Sequence, residues 1–148
     1  MTVIDSRKDK IVNSVVAEAR RRAKGKTDLV ETFVRAFYAG VAPQQLAERT
    51  PEALAGAALS ALDTLAKRKP GESNVRVLNP DAKRDGWSTP NTVIELVTDD
   101  KPFLVDSASA AVGQLGATIE MLVHPILKVR RDAHGNLIEI VSGEPVGA

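Results

Sequence analysis

The spacing of apolar positions divides this chain into two regimes. In the first third, Ile11, Val12, Val15, Val16 and Ala19 form one stripe between about Lys8 and Ala23, the period of an amphipathic helix. Arg20, Arg21, Arg22 and Lys24 crowd its last turn, where cations complement the helix dipole, and Gly25 is placed to stop it. A second helix is expected from Thr27 or Asp28, either of which can cap it. Its stripe is Leu29, Phe33 and Phe37, with Val30, Val34 and Tyr38 alongside and Gly40 as the C-terminal cap. A short helical turn is expected after Pro43. Thr50 followed by Pro51 is the clearest start signal in the chain. Leu54, Ala58, Ala61, Leu62 and Leu65 then line one face of a helix running as far as Lys69, which Pro70 and Gly71 end.

From Asn74 the period changes. Val75 and Val77 alternate with polar residues, predicting a short strand over Val75–Asn79. Residues 79–86 are rich in turn formers. Thr92–Thr98 is a β-branched run and the best strand signal present. Asp99-Asp100-Lys101-Pro102 reads as a loop and helix start, Leu104, Ala108, Ala111, Val112 and Leu115 as a helix face, and Gly116 as its end. Thr118–Arg130 reads as extended and is interrupted at Pro125, which belongs at an edge or bulge. Residues 132–136 form a turn, Leu137–Val141 a returning strand, and Ser142–Ala148 carries no core pattern. The expected organisation is a helical region over 1–70 and an α+β unit over 71–148, with no internal repeat.

Composition narrows the chemistry. The chain has 148 residues, 43% hydrophobic and 26% charged, which is globular rather than disordered. Aromatics are 3%, so the core must be aliphatic, and a stacking surface for single-stranded nucleic acid is not expected. The absence of cysteine excludes disulfides, thiolate zinc sites and a cysteine nucleophile. Two histidines exclude a multi-histidine metal site. Residues 1–10 have no signal-peptide core, and no apolar run approaches the roughly 18 residues of a membrane helix. A cytoplasmic protein without membrane partners is therefore expected. Twenty Lys and Arg against nineteen Asp and Glu imply no partner from bulk charge. Residues 1–26 carry eight basic and three acidic residues, a local excess around Arg20–Lys26 that nucleic acid or phosphate would suit. Without reading aromatics, a solvated helix end is the favoured account.

The β-α-β-β order of the second half is most of a ferredoxin-like unit. The sequence Val93-Ile94-Glu95-Leu96-Val97-Thr98-Asp99-Asp100-Lys101-Pro102-Phe103-Leu104, with Gly116-Ala117-Thr118-Ile119 after the helix, resembles the ACT domain, a regulatory module that often binds amino acids. The resemblance implies a ligand loop at Asp99, Asp100, Lys101, Pro102 and Phe103. It departs in two places. Phe103 stands where the family pattern has Gly, and the second helix and fourth strand are missing, so the unit is expected to be truncated. A wider resemblance rests on Phe33–Tyr38, Val75–Pro80, Gly86-Trp87-Ser88, Asp99–Ser107 and His124–Asp132, in this order. Together these are similar to the N-terminal end of the large bacterial NAD-dependent glutamate dehydrogenases. That family converts glutamate, NAD and water to 2-oxoglutarate, ammonium and NADH. The resemblance implies that the parent is the enzyme, with NAD and catalytic regions far downstream, and that this segment serves regulation or assembly. Its partners would be the remainder of the parent chain and a possible amino-acid ligand.

The residues themselves agree with a non-catalytic segment. No glycine-rich dinucleotide turn or phosphate loop is present, and Ser107 and Ser109 lie on a predicted helix rather than on a nucleophile elbow. No catalytic, cofactor-binding or metal residue is expected. Asp99 and Asp100 have two readings: carboxylates for an α-amino group, or caps for the following helix. Capping is the simpler. His124 is expected to be packed or at an edge, His134 exposed in a turn, and Trp87 a packing anchor. In a ferredoxin-like sheet Thr92–Thr98 would be central, so a missing fourth strand leaves one side open. Either Val75–Asn79 fills that place or a second copy does, which makes a homo-oligomer through the sheet edge or the ACT-like surface an expectation. The alternative function is a free-standing ACT-like amino-acid sensor acting in trans.

Overall fold

The computed structural model describes residues 3–144. Four helices come first: α1 (Val3–Arg22), α2 (Thr27–Tyr38), α3 (Pro43–Ala47) and α4 (Pro51–Leu65). They are followed by β1 (Asn74–Leu78), α5 (Ala82–Asp85), β2 (Val93–Val97), α6 (Leu104–Gln114), β3 (Ile126–Arg131) and β4 (Leu137–Glu144). The architecture is α+β with antiparallel strand pairs, as the sequence pattern predicts.

The helical stripes build the core. Val12, Val15, Val16 and Ala19 of α1 meet Val30, Phe33, Val34 and Tyr38 of α2 and Leu54, Ala55, Ala58 and Leu65 of α4. Burying each large apolar side chain contributes about 1.5–3 kcal/mol. Leu46 of α3 and Leu137 of β4 join this cluster, so it includes residues of both predicted segments. Tyr38 satisfies its buried hydroxyl by donating to the Leu54 carbonyl at 2.6 Å. Burial holds that hydroxyl well above the ordinary tyrosine range.

Helix boundaries differ from the periodicity in informative places. Thr27 and Asp28 do not cap α2. The chain reverses through Gly25 and Lys26, both left-handed, and Lys26 occupies the cap position without a side-chain bond. Gly40 is not the C-cap either, since Ala39 takes that place in right-handed geometry. Thr50 does cap α4, its hydroxyl accepting from the Ala53 amide at 3.1 Å. That helix ends at Leu65 rather than Lys69, because Lys67 is drawn into a bridge with Asn136. The turn-rich stretch 79–86 contains one helical turn, α5, capped by the Asp81 carboxylate. Gly116 closes α6 in the left-handed region, yet no residue of α6 is fully buried, so its apolar face is not part of the core. Residues 118–125 are not a strand; pairing begins after Pro125, which has no N–H for a ladder. Strand β4 runs on to Glu144, beyond the predicted Val141, and residues 145–148 of the tail lie outside the described residues.

The strands form two separate pairs, β1 with β2 and β3 with β4. Strand β1 takes the place beside β2, as one of the two predicted solutions has it. The ferredoxin-like expectation that β2 sits centrally is not met among the described residues, because β4 does not pair with it. The reason lies at the end of α4. The Leu137 amide donates to the Ala66 carbonyl at 2.8 Å and the Arg68 amide to the Gly135 carbonyl at 3.0 Å. These bonds, with Leu137 buried in the helical core and α2 packed on β4, hold the second hairpin on the helices.

Candidate functional site

The predicted ligand loop lies between β2 and α6, with Asp99, Asp100, Lys101, Pro102 and Phe103 all exposed. Its aspartates do not cap the helix. Phe103 occupies the cap position of α6, makes no side-chain bond there, and lies in the left-handed region at φ 62°. Its carbonyl accepts from the Ser107 amide at 2.9 Å. The position where the ACT pattern has Gly is thus one whose backbone favours Gly, held here by an aromatic residue.

Asp99 is engaged. Its Oδ1 accepts from Arg68 Nη2 at 2.8 Å. Arg68, whose side chain is 13% exposed, also donates from Nη1 to the Glu72 carbonyl at 2.8 Å. A second guanidinium stands close by, since Arg131 Nη1 donates at 3.0 Å to the same Gly135 carbonyl that accepts the Arg68 amide. Burial, and after it the nearby Arg68 charge, push the Arg131 pKa down. The Nε atoms of Arg68 and Arg131 are buried without a hydrogen-bond partner. Asp99 therefore balances one of two neighbouring cations, and the loop is tied through Arg68 to the end of α4 and the turn before β4. This geometry fastens the loop; it does not set a nucleophile against a base.

Sequence reasoning missed Arg68 and Arg131. Arg68 stands between Lys67 and Lys69 near the predicted end of the fourth helix, and its partner Asp99 lies 31 residues away, beyond any local pattern. The other predicted residues are dispersed. His124 is half-buried just before β3, with Nδ1 unpartnered, and His134 is exposed in the turn. In that turn the Asp132 carboxylate accepts from the amides of His134 and Asn136. Trp87 is buried against Gly56 of α4, the anchoring role expected of it. The basic end of α1 is matched by carboxylates: Arg20 pairs with Glu31 at 2.7 Å and Arg22 with Glu18 at 2.9 Å. Among the described residues no cluster of three metal-ligating side chains occurs, and no helix is long and apolar enough to cross a membrane.

Two open clefts lie away from the loop. One, of about 580 Å³, is bordered by Arg7, Lys10, Leu46 and Arg49. The other, of about 360 Å³, is bordered by Gly56, Ser60, Arg76, Asp85 and Trp87. Beside the second lies a hydrogen-bonded polar cluster joining α4 to the first strand pair. Glu95, 8% exposed, accepts from Ser60 Oγ at 2.7 Å, Thr64 Oγ1 at 2.6 Å and Arg76 Nε at 2.8 Å. It bonds the inner face of the β1–β2 pair to α4.

Comparison with known proteins gives this arrangement a context. The family model described as the glutamate dehydrogenase ACT1 domain matches residues 33–147. An NAD-specific glutamate dehydrogenase from Halomonas elongata is 37% identical over 128 residues, covering 86% of this chain and 8% of that protein. One from Pseudomonas aeruginosa is 36% identical over 112 residues, covering 76% of this chain and 7% of that protein. The chain therefore spans less than a tenth of the length of these relatives. No solved structure matches it.

Proposed function

Since the chain belongs to the glutamate dehydrogenase ACT1-domain family, we propose that it is a non-catalytic, N-terminal regulatory or assembly segment of an NAD-dependent glutamate dehydrogenase. In the parent, L-glutamate, NAD and water would give 2-oxoglutarate, ammonium and NADH, with NAD bound outside these residues. The observation that carries this reading is the pairing of a family match over residues 33–147 with coverage of only 7–8% of the relatives. What the fold offers supports it. The sequence has no glycine-rich turn for a pyrophosphate, and the polar clusters around Glu95 and Arg68 join elements to one another.

Two measurements test the reading. The purified chain, given glutamate and NAD, is expected to form no NADH; NADH formation would overturn its non-catalytic role. Removal of the matching region from the Halomonas elongata enzyme is expected to alter subunit assembly or the response to effectors while the dehydrogenase reaction persists. Loss of the reaction in correctly assembled enzyme would show that the segment takes part in the chemistry.

A further inference from the structure

The basic first segment of the chain divides in two. At the end of α1 its cations are matched by carboxylates: Arg20 meets Glu31, and Arg21 and Arg22 meet Glu18. Near the start of α1 they are not. Arg7 and Lys10 stand about one turn apart on the face that borders the larger cleft. Both are exposed, and neither side chain has an ion-pair or hydrogen-bond partner among the described residues. Arg49, just after α3, reaches the same cleft from the other side. Its side chain is 25% exposed and held in place, Nη1 donating to the Gln45 carbonyl at 2.7 Å. The Glu48 carboxylate lies 3.9 Å from it but is 73% exposed, so water screens that pair. Among the described residues that line the cleft, none is acidic. Between the cations the wall is apolar, with Ile11 and Pro51 half-buried there. Ser6 adds a hydroxyl with no partner among the described residues.

We propose that this cleft binds an organic phosphate, with the phosphate among Arg7, Lys10 and Arg49 and the apolar part of the molecule on Ile11 and Pro51. This goes beyond the reading as a dehydrogenase segment and holds whether or not that reading does. Cations of one sign around a concave, low-dielectric wall focus their field and raise the local concentration of anions. A phosphate monoester carries about −1.5 to −2 charge at pH 7 and three strong acceptor oxygens. That matches three cations and a hydroxyl better than the single charge of a carboxylate does. Bare inorganic phosphate would leave the apolar wall wet, whereas an attached apolar body removes it from water. The cleft volume of about 580 Å³ is that of a small-molecule site. An acidic peptide is the poorer occupant, since it spreads single charges along its length, and these three cations border one cleft.

Isothermal titration of the 148-residue chain with naphthyl phosphate at low ionic strength is the test. The expected result is a single saturable site that added salt weakens. Inorganic phosphate is expected to bind at least about tenfold more weakly, for want of an apolar part. Arg7→Gln with Lys10→Gln should weaken naphthyl phosphate at least about tenfold, with unchanged helical circular dichroism. Arg20→Gln with Arg21→Gln removes the same charge from the matched end of α1 and should leave binding within about twofold of wild type. Should the first variant fail to fold, Lys10→Gln alone is expected to weaken binding about threefold. Absence of binding at roughly millimolar ligand would overturn the proposal. So would inorganic phosphate binding as tightly as naphthyl phosphate, or binding that the Arg7 and Lys10 substitutions leave intact. Tighter binding of an oligoglutamate peptide would overturn it in favour of an acidic protein segment.

Discussion

Trp87 lies against Gly56 of α4 so closely that the indole occupies the space a β-carbon would need. The glycine sits in the middle of a helix, where it costs about 1 kcal/mol relative to alanine. That cost is tolerated because the missing side chain lets a large aromatic close the helix against the turn before β2.

Gly56→Ala is therefore expected to destabilise the protein despite its better helix propensity, by about 1–3 kcal/mol from overpacking. Urea denaturation measures it. The same substitution made together with Trp87→Ala has no ring to displace. Relative to Trp87→Ala alone, it is expected to be neutral or slightly stabilising, so the two sites should be strongly coupled in a double-mutant cycle.

Phe103 holds a left-handed backbone at φ 62° with its ring 77% exposed. That conformation costs a non-glycine residue about 1 kcal/mol. Phe103→Gly removes the cost and is expected to raise the melting temperature. Phe103→Ala keeps it and is expected to leave stability nearly unchanged. A stabilising alanine would show that the ring rather than the backbone carries the penalty.

Glu95 is buried with three donors aimed at it. Glu95→Ala leaves two hydroxyls without their acceptor and takes the carboxylate from Arg76, which keeps only its bonds to Ser60. Arg76 is 42% exposed, so part of the loss is recovered from water, and about 2–3 kcal/mol is expected. Glu95→Gln keeps one acceptor oxygen and should cost less. Chemical denaturation of the two variants, compared at one pH, gives the order.

The Asp132 carboxyl is held below the ordinary carboxylate range, first by the Asn136 amide, then by the Asn136 side chain. A carboxylate depressed in the folded state stabilises it above the unfolded pKa, and that stability is lost as pH falls through the folded value. Asp132→Asn is thus expected to lower the melting temperature at neutral pH. The difference from wild type should shrink below about pH 4 and vanish once the carboxyl is protonated in both states. A difference that persists unchanged at low pH would assign the effect to the turn's geometry instead.

The helices were largely legible in the sequence because each stripe signals burial locally: Val12, Val15 and Val16, or Phe33 and Val34, need only a neighbour of the same kind. The Thr50-Pro51 start was equally plain, since capping is decided within four residues. What was not legible depends on residues far apart. The end of α4 is set by Asn136, the partner of Asp99 is Arg68, and the reason for Gly56 is Trp87. The β1–β2 strands were found by alternation, but alternation gives two faces without saying which one is inside. Only the helix packed beside them shows that Arg76 and Glu95 face in while Val75, Val77, Ile94 and Leu96 face out. Residues 99–103 lie between a strand and a helix that the pattern predicts, while the bond from Asp99 to Arg68 has no local signal.

The backbone bonds from Leu137 to Ala66 and from Arg68 to Gly135 also bear on how the molecule withstands cutting. They attach the β3–β4 hairpin to the helices independently of the linking stretch 115–125, which has no regular structure. A protease that nicks this stretch would sever the covalent connection and leave the non-covalent one, so the two pieces should travel together until denaturant is added.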